Sequence, residues 1–310
     1  MQSVAGSACA VTVVVVTWNA AALVAACLDS LTRQTIPHRV VVVDNASVDG
    51  TPDLLAARFP DAEVVRTGEN LGFAGGVEAG LRLVQTPFVA LLNNDAVAEP
   101  DWLARLTATM DAHPEAAAVT SRLLLADVEP PTVNNAGVVL LDDGYGADRG
   151  LGQPAEAFAD PADVFGFSGG AALIRTEALR EVGGFPAPFF LYYEDTDTSW
   201  RLRRAGWSIR YEPGAVVHHR HSATADQTSP MFAFWNERNR LLMHARNAAP
   251  RAALAVWGRF VLTTASLAVR RLLGAPKPPA HQQRIGLRLR VLAGALRMLP
   301  WALRSRRPRA

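Results

Sequence analysis

The sequence predicts an α/β fold, a mostly parallel sheet flanked by helices with a helical extension at the C-terminal end. Three observations predict it. Short β-branched or apolar runs alternate with helical patterns through the first 120 residues, the signature of βαβ units. The run from Phe88 to Leu92 is apolar throughout, as in a strand buried on both faces. Polar clusters close successive runs, at Thr17-Trp18-Asn19, Asp44-Asn45 with Asp49, and Asn93-Asn94-Asp95. Right-handed crossovers bring such strand ends to one edge, where open α/β sheets bind ligands.

The elements follow in order. Residues 10–16 read as a first strand, and residues 20–34 as a helix that stops before Pro37. Residues 39–43 form a second buried strand. Thr51 is placed as a helix cap with Pro52 at the first helical position. Residues 62–66 are a third strand. The glycine-rich stretch 70–76, NLGFAGG, leads into a helix reaching about Val84. The strand at 88–92 ends in the Asn-Asn-Asp cluster. A helix over 100–113 and a strand over 116–121 complete this half. In the second half, 133–141 and 164–174 read as strands, the latter interrupted by Gly166 to Gly170, where a ligand or backbone approaches closely. Residues 185–193 are aromatic-rich. A helix opens at Glu194-Asp195-Thr196-Asp197 and ends at Gly206. Short strands at 208–211 and 215–217 lead to His218-His219, with His221 beyond. Helices are expected over 230–246, 251–273 and 282–304, the last two separated by the GAPKPP linker at 274–279.

Composition bounds the function. The chain has 310 residues, 49% hydrophobic and 19% charged, which describes a globular protein. Two cysteines, Cys9 and Cys27, match neither a disulfide framework nor a metal spacing, so a reducing compartment is expected. The N-terminus lacks a basic n-region and a small-residue cleavage site, so no secretory signal is expected. The net charge of +2 conceals an asymmetry: residues 238–310 hold 16 Lys/Arg and no Asp or Glu. The remainder carries 15 basic and 29 acidic residues. A basic, apolar tail on an acidic body points to an anionic surface as the tail's partner, and nucleic acid is not expected.

No GxGxxG follows the first strand and no GxxxxGK[ST] occurs, which excludes dinucleotide-binding and P-loop readings. One carboxylate beside two amides at Asn93-Asn94-Asp95 suits a divalent cation and nucleotide diphosphate oxygens. Asp44 and Asp49 are placed to accept from a base or ribose. The stretch around Asn70, Gly72, Phe73 and Gly76 suits a loop pressed against a nucleotide, with a helix N-terminus aimed at phosphate. The cluster at Glu194-Asp195 suits a general base. A carboxylate, an imidazole and phosphate oxygens together suit Mn²⁺ or Mg²⁺ better than zinc.

In order along the chain, TWN at 17–19, VVVDNASVDGT at 41–51, NLGFAGG at 70–76, LLNNDAV at 91–97, GFSGGAALIR at 166–175, FFLYYEDTDTSWRLRRAGW at 189–207, EPGAVVHH at 212–219 and ERNRL at 237–241 resemble family 2 glycosyltransferases, and within them the rhamnosyltransferase-like branch. The resemblance implies a GT-A fold, a Rossmann-like, mostly parallel sheet flanked by helices. It puts a glycosyltransferase domain over 1–246, with a nucleotide half at about 10–121 and an acceptor half at about 122–246, and a basic helical tail over 247–310. It implies that Thr17, Asp44 and Asp49 contact the base and ribose. Asn19, Asn45, Asn70, Gly72, Phe73, Gly76, Asn93 and Asn94 join them around the donor. Asp95 and His219 would hold Mn²⁺ or Mg²⁺, His219 matching the family's histidine better than His218. The family's acidic pair falls on Glu194 and Asp195, with Asp195 as base. The sequence departs from a full DXD motif, since two of its three positions are amides.

The implied activity is inverting transfer of a sugar from a dTDP- or UDP-linked donor, dTDP-rhamnose by branch, to a glycan or lipid-linked acceptor. Nucleotidyl transfer and non-catalytic sugar-nucleotide binding are the competing readings. The aromatic residues Phe189, Phe190, Tyr192 and Tyr193 suit either the acceptor site or the core. In the tail, Ile285, Leu289, Leu292, Leu296 and Leu299 recur at helical spacing among arginines, as in a helix lying on an anionic membrane. The apolar stretch 252–269 is at the lower length limit for a span and has Arg259 near its centre, which makes crossing costly. The expected location is cytoplasmic, peripheral on the inner face of the cell membrane.

Overall fold

The computed structural model describes residues 9–220, 229–274, 276 and 280–306. His221, and residues 275 and 277–279 of the linker, lie outside the described residues. The first half runs β1 (Val11–Thr17), α1 (Ala21–Leu31), β2 (His38–Asp44), α2 (Thr51–Arg58), β3 (Glu63–Arg66), α3 (Gly72–Leu81), β4 (Phe88–Leu92), β5 (Ala96–Ala98) and α4 (Trp102–Ala112). The second half runs β6 (Ala116–Leu125), β7 (Val133–Asn135), a hairpin of β8 (Val138–Leu140) and β9 (Gly146–Asp148), then β10 (Ala162–Asp163), β11 (Ala171–Arg175), α5 (Thr176–Glu181), α6 (Glu194–Arg204) and β12 (Ser208–His219). Helices α7 (Pro230–Asn247), α8 (Pro250–Leu272) and α9 (Ile285–Arg304) follow.

The main sheet has the order β10-β12-β6-β11-β4-β1-β2-β3. Strands β4, β1, β2 and β3 are mutually parallel, with Thr17 paired to Asp44 at their common C-terminal edge. Both faces are covered, which is why these strands read as unbroken apolar runs. Val13, Val15, Val42 and Leu92 pack with Val24, Leu28, Trp102 and Leu106 on one face. Val14, Val43 and Leu91 pack with Val77, Leu179 and Leu202 on the other.

The sheet is not parallel throughout. β11 lies antiparallel between β4 and β6, which needs no crossover helix. Its direction has a consequence for the site: its first residue, Ala171, pairs with Leu92, the last residue of β4. Gly169-Gly170 therefore stand at the edge where the polar strand ends collect. β12 runs parallel to β6 and pairs antiparallel with β5, setting His219 opposite Ala96 and so beside Asp95.

Several local expectations are corrected. Thr51 is not a cap but the first residue of α2, and its hydroxyl accepts from the Ala20 amide. Gly72–Gly76 are not a loop before α3; they are its opening turns. The strand expected over 88–92 is β4, followed after the Asn-Asn-Asp turn by a short strand that was not expected, β5, and the strand expected over 133–141 breaks at Gly137, whose φ is +108°. Of the stretch 164–174 only 171–174 is strand, as part of β11. The two short strands after Gly206 are one, β12, with an irregularity between Glu212 and Val216. In the tail, Val291, Ala295 and Ala302 of α9 are buried against the body, whereas Leu289 and Leu296 are exposed.

Candidate active site

The site is built at the edge that β1, β2, β4, β11 and β12 share. Thr17, the last residue of β1, is buried, and its hydroxyl accepts from the Asn94 amide group at 3.1 Å. Asp44 ends β2 and is fully buried. Its Oδ1 accepts from the Ser47 amide and its Oδ2 from Arg66 Nε, at 3.0 and 3.1 Å. Asn45 donates to the Gly72 carbonyl at 2.9 Å, tying β2 to the start of α3. Asn19 and Asp49 form an exposed rim. Asn19 Oδ1 accepts from Val48 N, and Asp49 accepts from Thr51 N and Ala21 N.

The glycine-rich turn is shaped by contacts within the chain. Asn70 Oδ1 accepts from Gly72 N at 2.9 Å. Gly72 has φ +69°, and a Cβ there would sit 2.3 Å from the Phe190 carbonyl oxygen. A Cβ on Gly76 would sit 2.6 Å from Val16. The close approaches these two glycines permit are to Phe190 and Val16. Phe73 packs beside Gly169, whose Cβ position lies 3.0 Å from its ring and 3.6 Å from Asp195 Cβ.

Asn93, Asn94 and Asp95 follow β4. Asp95 is 6% exposed, and its Oδ1 lies 3.0 Å from His219 Nε2. The other imidazole nitrogen meets Asn134 Oδ1 at 2.6 Å, which orients the ring. Asn93 Nδ2 is 3.4 Å from His219 Nε2. Strand alternation along β12 turns His219 inward, while His218 turns outward to Glu99 at 2.8 Å. Among the described residues no three His, Cys, Asp or Glu side chains are grouped to hold a metal. Two donors are nevertheless well set for one. Neighbouring ligands of an octahedral cation at 2.0–2.1 Å are about 3 Å apart, the separation of Asp95 Oδ1 from His219 Nε2. That contact is a hydrogen bond, and Asp95 and His219 are the two side chains that could hold a cation, with a bound diphosphate supplying the kind of oxygen the remainder would need.

Asp195 opens α6 and is joined to this edge through β11. Its Oδ2 accepts from Gly169 N at 2.9 Å, and Gly170 O accepts from Asn93 N at 2.9 Å. Two glycines therefore separate the carboxylate from the Asn-Asn-Asp turn. Asp195 Oδ1 accepts from Thr196 N and Oγ1. Burial pushes the Asp195 carboxyl above its ordinary value, against the hydrogen bonds from Gly169 and Thr196. Glu194 is pushed further: burial first, then the Asp195 charge, raise it well above the ordinary range. Its Oε2 is buried with no hydrogen-bond partner. Burial thus raises both adjacent carboxyls, and Asp195 has the hydrogen bonds from Gly169 and Thr196 to oppose it, whereas Glu194 Oε2 has none.

Sequence reasoning missed what holds Asp195 in place. Phe190, Tyr192 and Tyr193 have φ of 69–70°, a left-handed backbone uncommon for such residues. Asn239 of α7 donates to the carbonyls of Phe189, Leu191 and Tyr192 at 2.8–3.0 Å, and Arg238 donates to those of Pro188 and Phe189. One turn into α6, buried Asp197 accepts from Arg201, Arg246 and Asn247. The only signal available was polar: Arg238, Asn239, Arg246 and Asn247 stand among many polar residues on a helix whose second half is buried. Asn134 was missed too, although an Asn-Asn pair within a strand marks a buried demand for hydrogen bonds. Of the aromatic residues, Phe189 and Tyr193 are core, packed with Leu242, Met243 and Ala302, while Phe190 stacks on Trp235.

A family model described as glycosyl transferase family 2 matches residues 12–183. The chain is 31% identical over 223 residues to N-acetylglucosaminyl-diphospho-decaprenol L-rhamnosyltransferase of Mycobacterium tuberculosis (strain ATCC 25618 / H37Rv), a match covering 64% of this chain and 72% of that one. It is 33% identical over 187 residues to pre-mycofactocin glycosyltransferase of the same organism, covering 59% and 37%. Among solved structures, mannosyltransferase PcManGT from Pyrobaculum calidifontis, in complex with GDP-Man and Mn²⁺, matches with a TM-score of 0.54 at 21% identity, over 94% of this chain and 87% of that chain. S. aureus TarS 1-349 with UDP-GlcNAc matches with a TM-score of 0.56 at 18% identity, over 96% and 87%. At these identities the structural likeness speaks to the fold.

Proposed function

Because the chain belongs to glycosyl transferase family 2, in its rhamnosyltransferase-like branch and with the GT-A fold, we propose that it is an inverting, cation-dependent glycosyltransferase. The donor is dTDP-rhamnose, and the acceptor is a hydroxyl of a lipid-linked glycan. The catalytic domain is 1–246. The tail, 247–310, rests on the anionic inner face of the cell membrane.

The observation that carries this reading is the link Asp195–Gly169-Gly170–Asn93, which sets a carboxylate of α6 beside the cation-suited turn after β4. Thr17, Asp44 and Asp49 flank the base and ribose, with Asn19, Asn45, Asn70, Gly72, Phe73, Gly76, Asn93 and Asn94 shaping the donor cleft. Asp195 accepts the proton of the acceptor hydroxyl as that oxygen attacks the anomeric carbon and the bond to the diphosphate breaks. A carboxylate raised by burial is a stronger base for this task. Glu194 stays neutral beside it and leaves Asp195 as the ionised member of the pair. Mn²⁺ or Mg²⁺, when held by Asp95 and His219, would neutralise charge on the departing diphosphate. A single displacement inverts the anomeric centre.

Support for a membrane surface comes from α8. Pro250–Leu272 is, among the described residues, the helix long and apolar enough to cross a membrane, with a mean hydropathy of 1.5 and little of it buried. Arg259 and Arg270 on the same helix favour lying at the interface over crossing.

A thermal-shift panel of nucleoside diphosphates and their sugars, with and without Mn²⁺, tests the donor reading. At a hundredfold excess over Kd, binding adds about 2.7 kcal/mol, so a shift of several degrees is expected with dTDP-rhamnose and Mn²⁺ together. No shift with any nucleotide sugar would overturn the reading, and release of pyrophosphate in place of nucleoside diphosphate would point to nucleotidyl transfer.

A further inference from the structure

A second hollow lies outside the donor cleft, between α7, α8 and the start of α9. It has a volume of about 460 Å³, and Tyr145, Arg240, Arg259, Phe260, Arg270 and Arg288 line it, with Asp143 its one carboxylate. It continues into an apolar hollow of about 330 Å³ that shares Asp143, Val256 and Arg259 and adds Leu140, Trp200 and Ala252. The two form one groove, basic at one end and apolar at the other.

The basic end has charge to spare. Glu237 is engaged behind the wall, by Arg240 at 2.7 Å and Tyr145 Oη at 2.6 Å. Arg259, Arg270 and Arg288 form no ion pair among the described residues. Arg288 is 8% exposed and donates only to neutral oxygens, those of Thr263, Thr264, Phe260 and Gln282. Burial disfavours the Arg288 charge, the Glu237 carboxylate offsets that only in part and without touching it, and an anion in the groove relieves the remaining cost. Arg259 and Arg270 sit eleven residues apart on α8, three turns along one face.

The groove also borders the base. Tyr145 precedes Gly146, whose amide donates to Tyr193 Oη at 3.1 Å and whose Cβ position faces Thr196 at 3.5 Å. Tyr193 and Thr196 flank Glu194-Asp195. On the other side, Leu254, Leu262, Val269 and Leu272 share an exposed face of α8 at helical spacing. The groove thus lies between the loop that flanks Glu194-Asp195 and a helix whose outer face is apolar.

Resting on the reading that Asp195 faces the acceptor, we propose that this groove binds the diphosphate and first lipid segment of a lipid-diphosphate-linked acceptor. Arg259, Arg270 and Arg288 receive the diphosphate. The apolar end and α8 receive the chain, and the acceptor sugar extends past Tyr145 to Asp195. The arginines match phosphate geometry, and an anionic head joined to an apolar chain matches both ends at once.

The test is binding of farnesyl diphosphate to the full chain in EDTA, which keeps any cation from Asp95, followed by calorimetry. The wild type is expected to bind. The doubly substituted Arg259→Ala/Arg270→Ala protein, altered only at exposed positions, is expected to bind at least about tenfold more weakly, since each lost charged hydrogen bond is worth roughly that factor. Farnesol and inorganic pyrophosphate are each expected to bind more weakly than farnesyl diphosphate. Equal affinity of wild type and variant overturns the proposal, as does equal affinity for pyrophosphate. So does arginine-dependent binding of phosphatidylglycerol vesicles without binding of farnesyl diphosphate, which would make the groove a membrane-headgroup contact. The Mn²⁺-dependent nucleotide-sugar shift is recorded on the same variant. Its absence in the wild type would sink the transferase reading by itself, whereas its retention in the variant separates lipid binding from donor binding.

Discussion

At the edge where the parallel strands end, polar residues are held by close neighbours: Thr17 by Asn94 after β4, Asp44 by Ser47 of its own loop and Arg66 of β3, Asn45 by Gly72 at the start of α3. Beyond the Gly169-Gly170 link, Asp195 stands at the start of a helix whose entry loop is strained and is held from α7, by Asn239 and Arg238. The first arrangement follows from strand register and costs little to assemble. The second needs a helix more than forty residues downstream to arrive before the base is placed. Donor binding and chemistry should therefore respond to different substitutions.

The largest separation is expected at the two carboxylates. Asp195→Asn should lower the transfer rate by about 10²–10⁴-fold and leave the dissociation constant for nucleotide sugar with Mn²⁺ unchanged. Asp95→Ala should act on the opposite side: the Mn²⁺-dependent part of donor binding disappears, and the rate falls by roughly 10²–10³-fold as charge on the leaving group goes unopposed. Calorimetry and initial rates on both variants check the pair. Near-normal transfer by both folded variants would remove these residues from the chemistry.

A smaller effect is expected from the clamp. Asn239→Ala withdraws the donor from three carbonyls of the strained loop. Destabilisation on the order of 1–3 kcal/mol is expected, read by denaturant unfolding. Because the loop positions Asp195 and not the donor, kcat should fall about tenfold or more while donor affinity holds. A variant that loses stability with kcat intact would make Asn239 a packing residue only.

The same division explains how far the sequence could be read. Thr17, Asp44 and Asn93-Asn94-Asp95 each end an apolar run, so periodicity alone placed them at one edge. His219 could be separated from His218 by strand alternation once β12 is known to continue through residue 219. The reversal of β11 was not legible, since an apolar run carries no direction, and with it went the role of Gly169-Gly170 as the bridge to Asp195. The clamp was hidden for another reason. Arg238, Asn239, Arg246 and Asn247 look like the solvated face of a helix, and only tertiary packing shows that this face is buried. In the tail, spacing found the amphipathic helix but not the side that packs. Val291, Ala295 and Ala302 turn to the body and leave Leu289 and Leu296 outside.

The smallest expected effect on rate lies within the acidic pair and concerns pH. Asp195 must be ionised to act, and burial raises its carboxyl, so activity should fall on the acid side at a pH above the ordinary carboxylate range. Glu194 is raised further and stays protonated, so Glu194→Gln should leave the rate within a few-fold of wild type near neutrality. Its signature is in stability. In the unfolded chain Glu194 releases its proton near its ordinary value of about 4.3, whereas the native state retains it. A group raised in this way stabilises fully below its unfolded value, and that contribution is lost as pH rises towards the folded value. Wild-type stability should accordingly fall relative to Glu194→Gln across that window, by up to about 1.4 kcal/mol per pH unit. Melting curves of the two proteins from pH 5 to 8 should diverge, the variant gaining with pH. Parallel curves would mean that Glu194 is ionised in the native protein, and the proton assignment between the two carboxyls would then have to be reversed.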